Sequence, residues 1–322
     1  GGTLLNAGAV IVAQDVSLGD ANGPVTFNGG TLQIGASFDL AATRTLTLNE
    51  AGGTINTNGF ASTVAQAFTG TGGLTKSGAG TLTLTGTNTL ASTTITDGTL
   101  QVGNGGTTGS IGLANVVNNG VLAFNRSDAI TIANTISGTG AVAQNGAGTL
   151  NLTGTNSYTG GTRFNAGVVT VATDANLGDA NGSLNFAGGT LRLGANFTPA
   201  ATRAITLGTG GGTFDTNGFD IALSQGISGS GGLVKAGLGK LTLTGASSFT
   251  GGTSVTGGVL ILNGSSTAPV TIASGATLGG NATVGGATIN GILSPGNSPG
   301  VVTVNGNLVF GAGSTYLVEI QG

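Results

Sequence analysis

The sequence predicts an all-β protein built as a parallel solenoid, and three observations predict it. A 15-residue unit recurs three times: Gly72 to Gly86, Gly140 to Gly154 and Gly231 to Gly245. Each copy reads as a short strand, a glycine turn and a second strand with strict alternation. Leu82 and Leu84 point one way, and Thr81, Thr83 and Thr85 the other. A unit this small cannot bury its apolar face alone, whereas stacked copies can. The second observation is a duplication, in which residues 1–90 align with residues 160–249 without a gap. Leu18 to Gly23 matches Leu177 to Gly182 identically, and Thr57 to Phe60 matches Thr216 to Phe219. The third is the absence of any apolar stripe of helical period and length.

Composition bounds the class. Glycine supplies 66 of 322 residues, with no every-third-position period, so collagen is excluded. Only 6% of residues are charged, while Thr and Val are abundant, which marks an ordered chain rather than a disordered one. Eight basic and eleven acidic residues give a formal charge of −3 with no basic run, so nucleic acid is not an expected partner. Weak mutual repulsion permits self-association. His, Cys, Met and Trp are absent, which removes disulfides, thiol nucleophiles and zinc sites. No apolar run reaches the ~18 residues of a membrane helix. Gly1 to Leu4 lacks the basic start and apolar centre of a signal peptide, and reads as the inside of a repeat, as in an excised or processed fragment.

The strand candidates of the first block are Val10–Val12, Val25–Phe27, Leu32–Ile34, Leu46–Leu48, Leu82–Leu84 and Leu100–Val102. Turn signals separate them: Asn22-Gly23, Asn28-Gly29, Asn58-Gly59, Asp97-Gly98 and Asn104-Gly105. Asn-Gly is also a hairpin signal, so antiparallel hairpins compete with parallel coils. The duplication favours coils, because each corner then sits over the equivalent corner of the next winding. Windings of ~20–24 residues stacked ~4.8 Å apart give about 14–16 rungs and a length of roughly 70 Å. Residues 1–269 form the repeat-built region. Residues 270–322 form a C-terminal segment with tighter spacing and a Pro-Gly-Asn-Ser-Pro-Gly corner (residues 295–300), expected to serve as a cap or assembly end.

At the repeated 15-mer, at Thr155 to Thr162 (Thr-Asn-Ser-Tyr-Thr-Gly-Gly-Thr) and at the Pro-Gly-Asn-Ser-Pro-Gly segment with Val302 to Leu308, the chain resembles the passenger-associated repeat of bacterial autotransporters (type V secretion). The resemblance implies a single right-handed parallel β-helix on the outside of a Gram-negative-type cell. It implies a membrane barrel beyond this chain as the sole membrane contact. It carries no activity, since the repeat is a scaffold. Two copies depart from the pattern: Leu90-Ala91-Ser92-Thr93 replaces the aromatic and Gly-Gly, and Gln144 stands where the others have Lys76 and Lys235.

Few residues qualify as chemical sites. Asp15, Asp20 and Asn22 recur as Asp174, Asp179 and Asn181. They supply oxygens suited to calcium, but too sparsely for its 6–8-oxygen shell, so corner caps are expected. Asp215 and Asp220 flank Asn217-Gly218 and would suit a glycosidase pair, yet the first block has Asn56 and Ala61 there, so surface polar positions are expected. Lys76 and Lys235 fall on the inward phase of their strands. Burial of an unpaired amine is costly, so the strand is expected to end there and the amine to reach water. Tyr158 and Phe249 occupy equivalent corners and are expected to pack beneath the loop rather than stack on sugar. Gly210-Gly211-Gly212 and Asn104-Gly105-Gly106 lack the Gly-Lys-Ser/Thr of a phosphate loop. No catalytic, cofactor or metal residues are therefore assigned.

The expected role is an extracellular structural or adhesive stalk or fibre segment, self-associating end to end or laterally, or binding cell-surface or polysaccharide targets. A polysaccharide-binding or -degrading β-helix is the alternative. An outer-membrane barrel shares the alternation but lacks the aromatic girdles, with two Tyr and no Trp.

Overall fold

Alternation with small corner residues leaves the chain one way to bury its Leu, Val, Ile and Phe side chains: winding so that each strand lies on its counterpart one turn earlier. The computed structural model describes residues 1–296 and 300–318. Two compact units are present, Gly1–Gly160 and Gly161–Gly322, divided where the second copy of the duplicated block begins. Each is a parallel β-solenoid. The strand pairings of the described residues are parallel throughout both units, which rules out the hairpin alternative. No α-helix is present among the described residues. Two single turns of 3-10 helix, Asp15–Leu18 and Asp174–Leu177, occupy equivalent places in the two units.

In the first unit one face stacks Thr3–Leu5, Val25–Phe27, Leu46–Leu48 and Phe68–Gly70. A second face runs from Ala9–Val12 through Leu74–Ser77 to Ile136–Ser137. A third begins at Ala61–Val64 and a fourth at Ala129–Ile132, after the first has ended. The second unit follows the same plan. Its first face runs from Thr162–Phe164 to Ile227–Gly229, and its second includes Leu233–Ala236. Later faces begin at Ile221–Leu223 and at Ala282–Val284. Faces thus start and stop along the chain, and the winding tightens: Thr3 lies opposite Val25, 22 residues on, whereas Thr277 lies opposite Ile292, 15 residues on.

Strand burial follows the predicted period of two. Leu82, Leu84, Leu100 and Val102 are fully enclosed, and Thr83 and Gln101 between them are half-buried on the outside. Each enclosed aliphatic contributes on the order of 1.5–3 kcal/mol, so the stack outweighs the low propensity of so many glycines. In the second unit Phe164 stacks on Phe186 at 4.3 Å and 8°, and Phe186 meets Phe214 at 5.1 Å.

Two corners show why glycine is needed. Gly70 (φ 97°) and Gly229 (φ 118°) are equivalent and left-handed, and a Cβ at either would overlap the carbonyl oxygen of Leu48 or Leu207 one winding below. Asn58 and Asn217 take the same left-handed conformation at φ 50°, each with its N–H donated to the side chain two residues earlier, Asn56 or Asp215. Of the expected proline corner, Asn297, Ser298 and Pro299 lie outside the described residues. Val302–Val304, Leu308–Phe310 and Thr315–Tyr316 follow it as parallel strands.

Candidate functional site

The two lysines correct the expectation drawn from the sequence. The strand does not end at either: Leu74–Ser77 and Leu233–Ala236 continue through Lys76 and Lys235, and both side chains are 0% exposed. Each stem lies between apolar neighbours, Ile55 and Ile95 in one unit, Phe214 and Val255 in the other. The reason is that the corner turns backbone oxygens inward. Lys76 Nζ donates to the carbonyls of Ser77 (3.0 Å), Gly78 (2.6 Å) and Asp97 (3.0 Å). Lys235 Nζ donates to Ala236 (2.9 Å), Gly237 (2.8 Å) and Gly257 (3.0 Å). Three ammonium protons meet three acceptors, so the amine has no need of water. Burial pushes both groups down to about 8, partly opposed by Asp97 for Lys76 and by Asp215 and Asp220 for Lys235. Gln144 solves the same problem with a neutral amide, whose Nε2 donates to Gly146 O (2.8 Å) and Gly148 O (3.1 Å).

Asp15 and Asp174 each bind a buried arginine, Arg44 and Arg203. Arg44 Nε donates to Asp15 Oδ1 (2.7 Å) and Nη2 to Oδ2 (2.9 Å), while the remaining protons go to carbonyls of Asp15, Gly19 and Gly23. Arg203 does the same with Asp174, Gly178 and Gly182. Both guanidinium groups are fully buried. They clip the 3-10 excursion onto the winding above. The Arg44 hydrogen bonds hold the Asp15 carboxyl below the usual carboxylate range. The clue lay in the duplication: Ala-Ala-Thr-Arg recurs at residues 41–44 and 200–203, at the same offset as the aspartates.

Asp20 and Asp179 cap their corners as expected, accepting the backbone and side-chain N–H of Asn22 and Asn181. Asp215 is half-buried and takes Arg192 Nε at 2.7 Å, and Asp220 accepts the Lys240 backbone N–H at 2.8 Å. Both carboxylates are thus engaged in pairing the sheet. Tyr158 and Phe249 pack inside, at 0% and 2% exposure. Gly210 to Gly212 line a groove of about 470 Å³ whose other lining residues carry no charge. Among the described residues no group of three or more carboxylates is placed to hold a metal ion.

The outward faces are flat ladders of hydroxyls. Thr31, Thr54, Thr75 and Thr94 follow one another on successive windings, as do Thr26, Thr47 and Thr69, with Thr47 Oγ1 3.2 Å from Thr69 Oγ1. Such a surface offers donors and acceptors at strand spacing with almost no charge.

Three stretches, residues 74–102, 142–171 and 233–262, match the passenger-associated-transport-repeat family. Each begins at or within the inner strand of the lysine or glutamine corner and closes on the alternating strand of the next winding. Over 143 residues, 44% of this chain, the sequence is 42% identical to the adhesin BmaC autotransporter of Brucella suis biovar 1 (strain 1330). The match covers 4% of that relative's length. No solved structure matches the chain.

Proposed function

We propose that this chain, which its three repeats identify as an autotransporter passenger segment, is a non-enzymatic adhesive stalk displayed on the outer surface of a Gram-negative bacterium. The observation that carries the reading is the passenger repeat itself, found three times on a parallel β-solenoid, together with likeness to an autotransporter adhesin. Geometry supports it. The corners use their charges for internal pairing, and the outward faces present hydroxyl ladders suited to broad, neutral contact with a cell-surface or matrix target.

The test uses the purified chain coated on latex beads, counted on epithelial cells and on matrix-coated plates against albumin-coated beads. At least tenfold more beads should be retained with the chain. Equal counts on every surface would overturn the adhesive role. Incubation with neutral and acidic polysaccharides should release no reducing ends; sustained release would replace the stalk with an enzyme.

A further inference from the structure

Wherever a new face starts inside either unit, its leading strand exposes one row of backbone groups. Three such edges are covered by the preceding winding. Leu40 bridges Val64, Phe197 bridges Ile221 and Ser265 bridges Thr283, all in the parallel sense. Hydrogen bonds accompany them: Leu40 N–H to Thr63 O (3.1 Å) and Ser266 N–H to Thr283 O (2.9 Å). The fourth edge, that of Ala129–Ile132, has no such bridge among the described residues. Its other edge pairs with Thr149–Leu152, through Thr149 N–H to Asp128 O and Thr153 N–H to Ile132 O. That pairing turns the backbone of Ile130 inward to the sheet and the N–H and C=O of Ala129 and Thr131 outward. Ala129 and Thr131 are exposed, and no described group pairs with those four backbone atoms.

Beside this bare edge lies an apolar groove of about 480 Å³, lined by Leu90, Ile111, Leu113, Ile130 and Ile132 among others. Leu113 is 86% exposed on its rim. The one cation there is spent: Arg126 is paired with Asp128 (2.6 Å) and donates to the carbonyls of Gly109 and Thr107. The groove thus offers no free charge. In the second unit the connection after Val259–Leu262 needs seven residues to reach Val270–Ile272, and it lays Ser265 on the new edge. In the first unit the connection from Thr99–Val102 to Val116–Asn118 takes thirteen, and the groove opens instead. What occupies this position at the other three starts is extended backbone, and the free groups here are backbone donors and acceptors.

We propose that the edge of Ala129–Ile132 receives an extended, uncharged peptide strand from another polypeptide, added parallel, with one aliphatic side chain seated in the groove. The strand would pair with the N–H and C=O of Ala129 and Thr131, and alternation would send its next side chain back to solvent. The site stands whether or not the chain adheres to cells.

Amide exchange on the intact chain tests it, with the blocked peptide acetyl-Thr-Leu-Thr-Leu-Thr-amide as probe and acetyl-Thr-Asp-Thr-Asp-Thr-amide as control. At millimolar probe the Ala129 and Thr131 amides should exchange at least tenfold more slowly, with no change from the control. Thr131→Pro removes an outward N–H that the protein's own sheet does not use, and should abolish the protection of Ala129. Ile130→Asp should do so through the groove. Unchanged exchange in the native chain would overturn the proposal, whatever the variants do. So would amides already protected without peptide, which would mean that residues 103–115 close the edge themselves. Binding that shifts Ile111 and Leu113 while both amides exchange freely would place the probe in the groove without strand pairing, and would overturn it as well.

Discussion

Replacing Lys235 with methionine or glutamine separates two accounts of why the corner holds a lysine. Methionine keeps the apolar stem between Phe214 and Val255 but has no donor. Ala236 O retains Thr216 N–H and Oγ1, whereas Gly237 O and Gly257 O have no partner but Lys235 among the described residues. Two orphaned buried acceptors cost about 1–3 kcal/mol each, and relief of the buried ammonium returns part of that. The net loss for Lys235→Met is about 2–4 kcal/mol. Glutamine follows the precedent of Gln144, whose amide N–H groups serve two carbonyls while its own Oε1 stays buried without a partner, so it restores part of the pairing and should lose about 1–2 kcal/mol. Urea unfolding followed by circular dichroism reads the difference. With a slope of about 3 kcal/mol/M, the methionine variant should unfold at least ~0.7 M earlier than wild type and the glutamine variant about 0.3–0.7 M earlier. A solenoid couples mainly to nearest neighbours, so exchange of the Thr256 amide, which donates to Lys235 O, should rise in the methionine variant first. Methionine proving as stable as glutamine would refute the view that inward carbonyls dictate the residue.

The same lysines set an alkaline dependence. Their native values near 8 lie below the ordinary 10.5, so between those limits the unfolded chain holds protons that the native chain does not, and stability rises with pH across that window. The urea midpoint should increase from pH 8 to pH 10 and stay flat in the Lys76→Gln, Lys235→Gln double variant. Asp15 works in the opposite range: its lowered value means that its clip is intact above the ordinary 3.8 and is lost as pH falls through the native value. Limited proteolysis with an acid protease should therefore open residues 13–24 only at the most acidic end. Arg203→Met leaves Asp174 facing carbonyls. Because that carboxylate is 24% exposed, the loss should be about 2–4 kcal/mol, under the 3–5 of a fully buried pair, measured as a drop in urea midpoint. Gly70→Ala combines a left-handed backbone with overlap on Leu48 O, and should lower thermal stability by more than about 2 kcal/mol where an exposed, unstrained glycine would lose nothing.

The strands were legible because their signal is local. Val25–Phe27, Leu46–Leu48 and the Leu82 strand declare themselves by alternation, and the 159-residue offset declares that equivalent corners are reused. The parallel sense followed from that reuse, since Asn-Gly by itself pointed equally to hairpins. Lys76 was misread for a definable reason. Alternation correctly placed it inward, and the cost of an unpaired amine was correctly applied, but the acceptors that cancel the cost come from Asp97, a winding away, and from a glycine turn whose carbonyls face the interior only once it is wound. The pairing of Asp15 with Arg44 is hidden likewise: 29 residues separate them, and only the shared offset of the duplicated copies links the two. The bare edge at Ala129–Ile132 depends on where a face begins, which no single repeat encodes.

The buried charges also change what the outer surface can hold. Four of the eight basic side chains, Arg44, Arg203, Lys76 and Lys235, are enclosed. Of the others, Arg126, Arg192 and Lys240 are paired with Asp128, Asp215 and Asp220, which leaves Arg163 as the exposed cation without an ion pair among the described residues. Asp20, Asp39, Glu50, Asp97 and Asp179 have no ion pair among the described residues. The outside is therefore weakly acidic, dispersed and more negative than the formal −3 suggests. Contact with an anionic glycan or membrane gains nothing from such a field, so the proposed adhesion and strand addition would rest on the hydroxyl ladders and on backbone pairing, neither of which salt screens strongly. Bead retention should change less than about twofold between roughly 0.05 and 0.5 M NaCl, a range over which the screening length falls from about 14 to about 4 Å. A fall of tenfold or more would mean that charge carries the contact, and would move the adhesive surface from the threonine faces to the neighbourhood of Arg163.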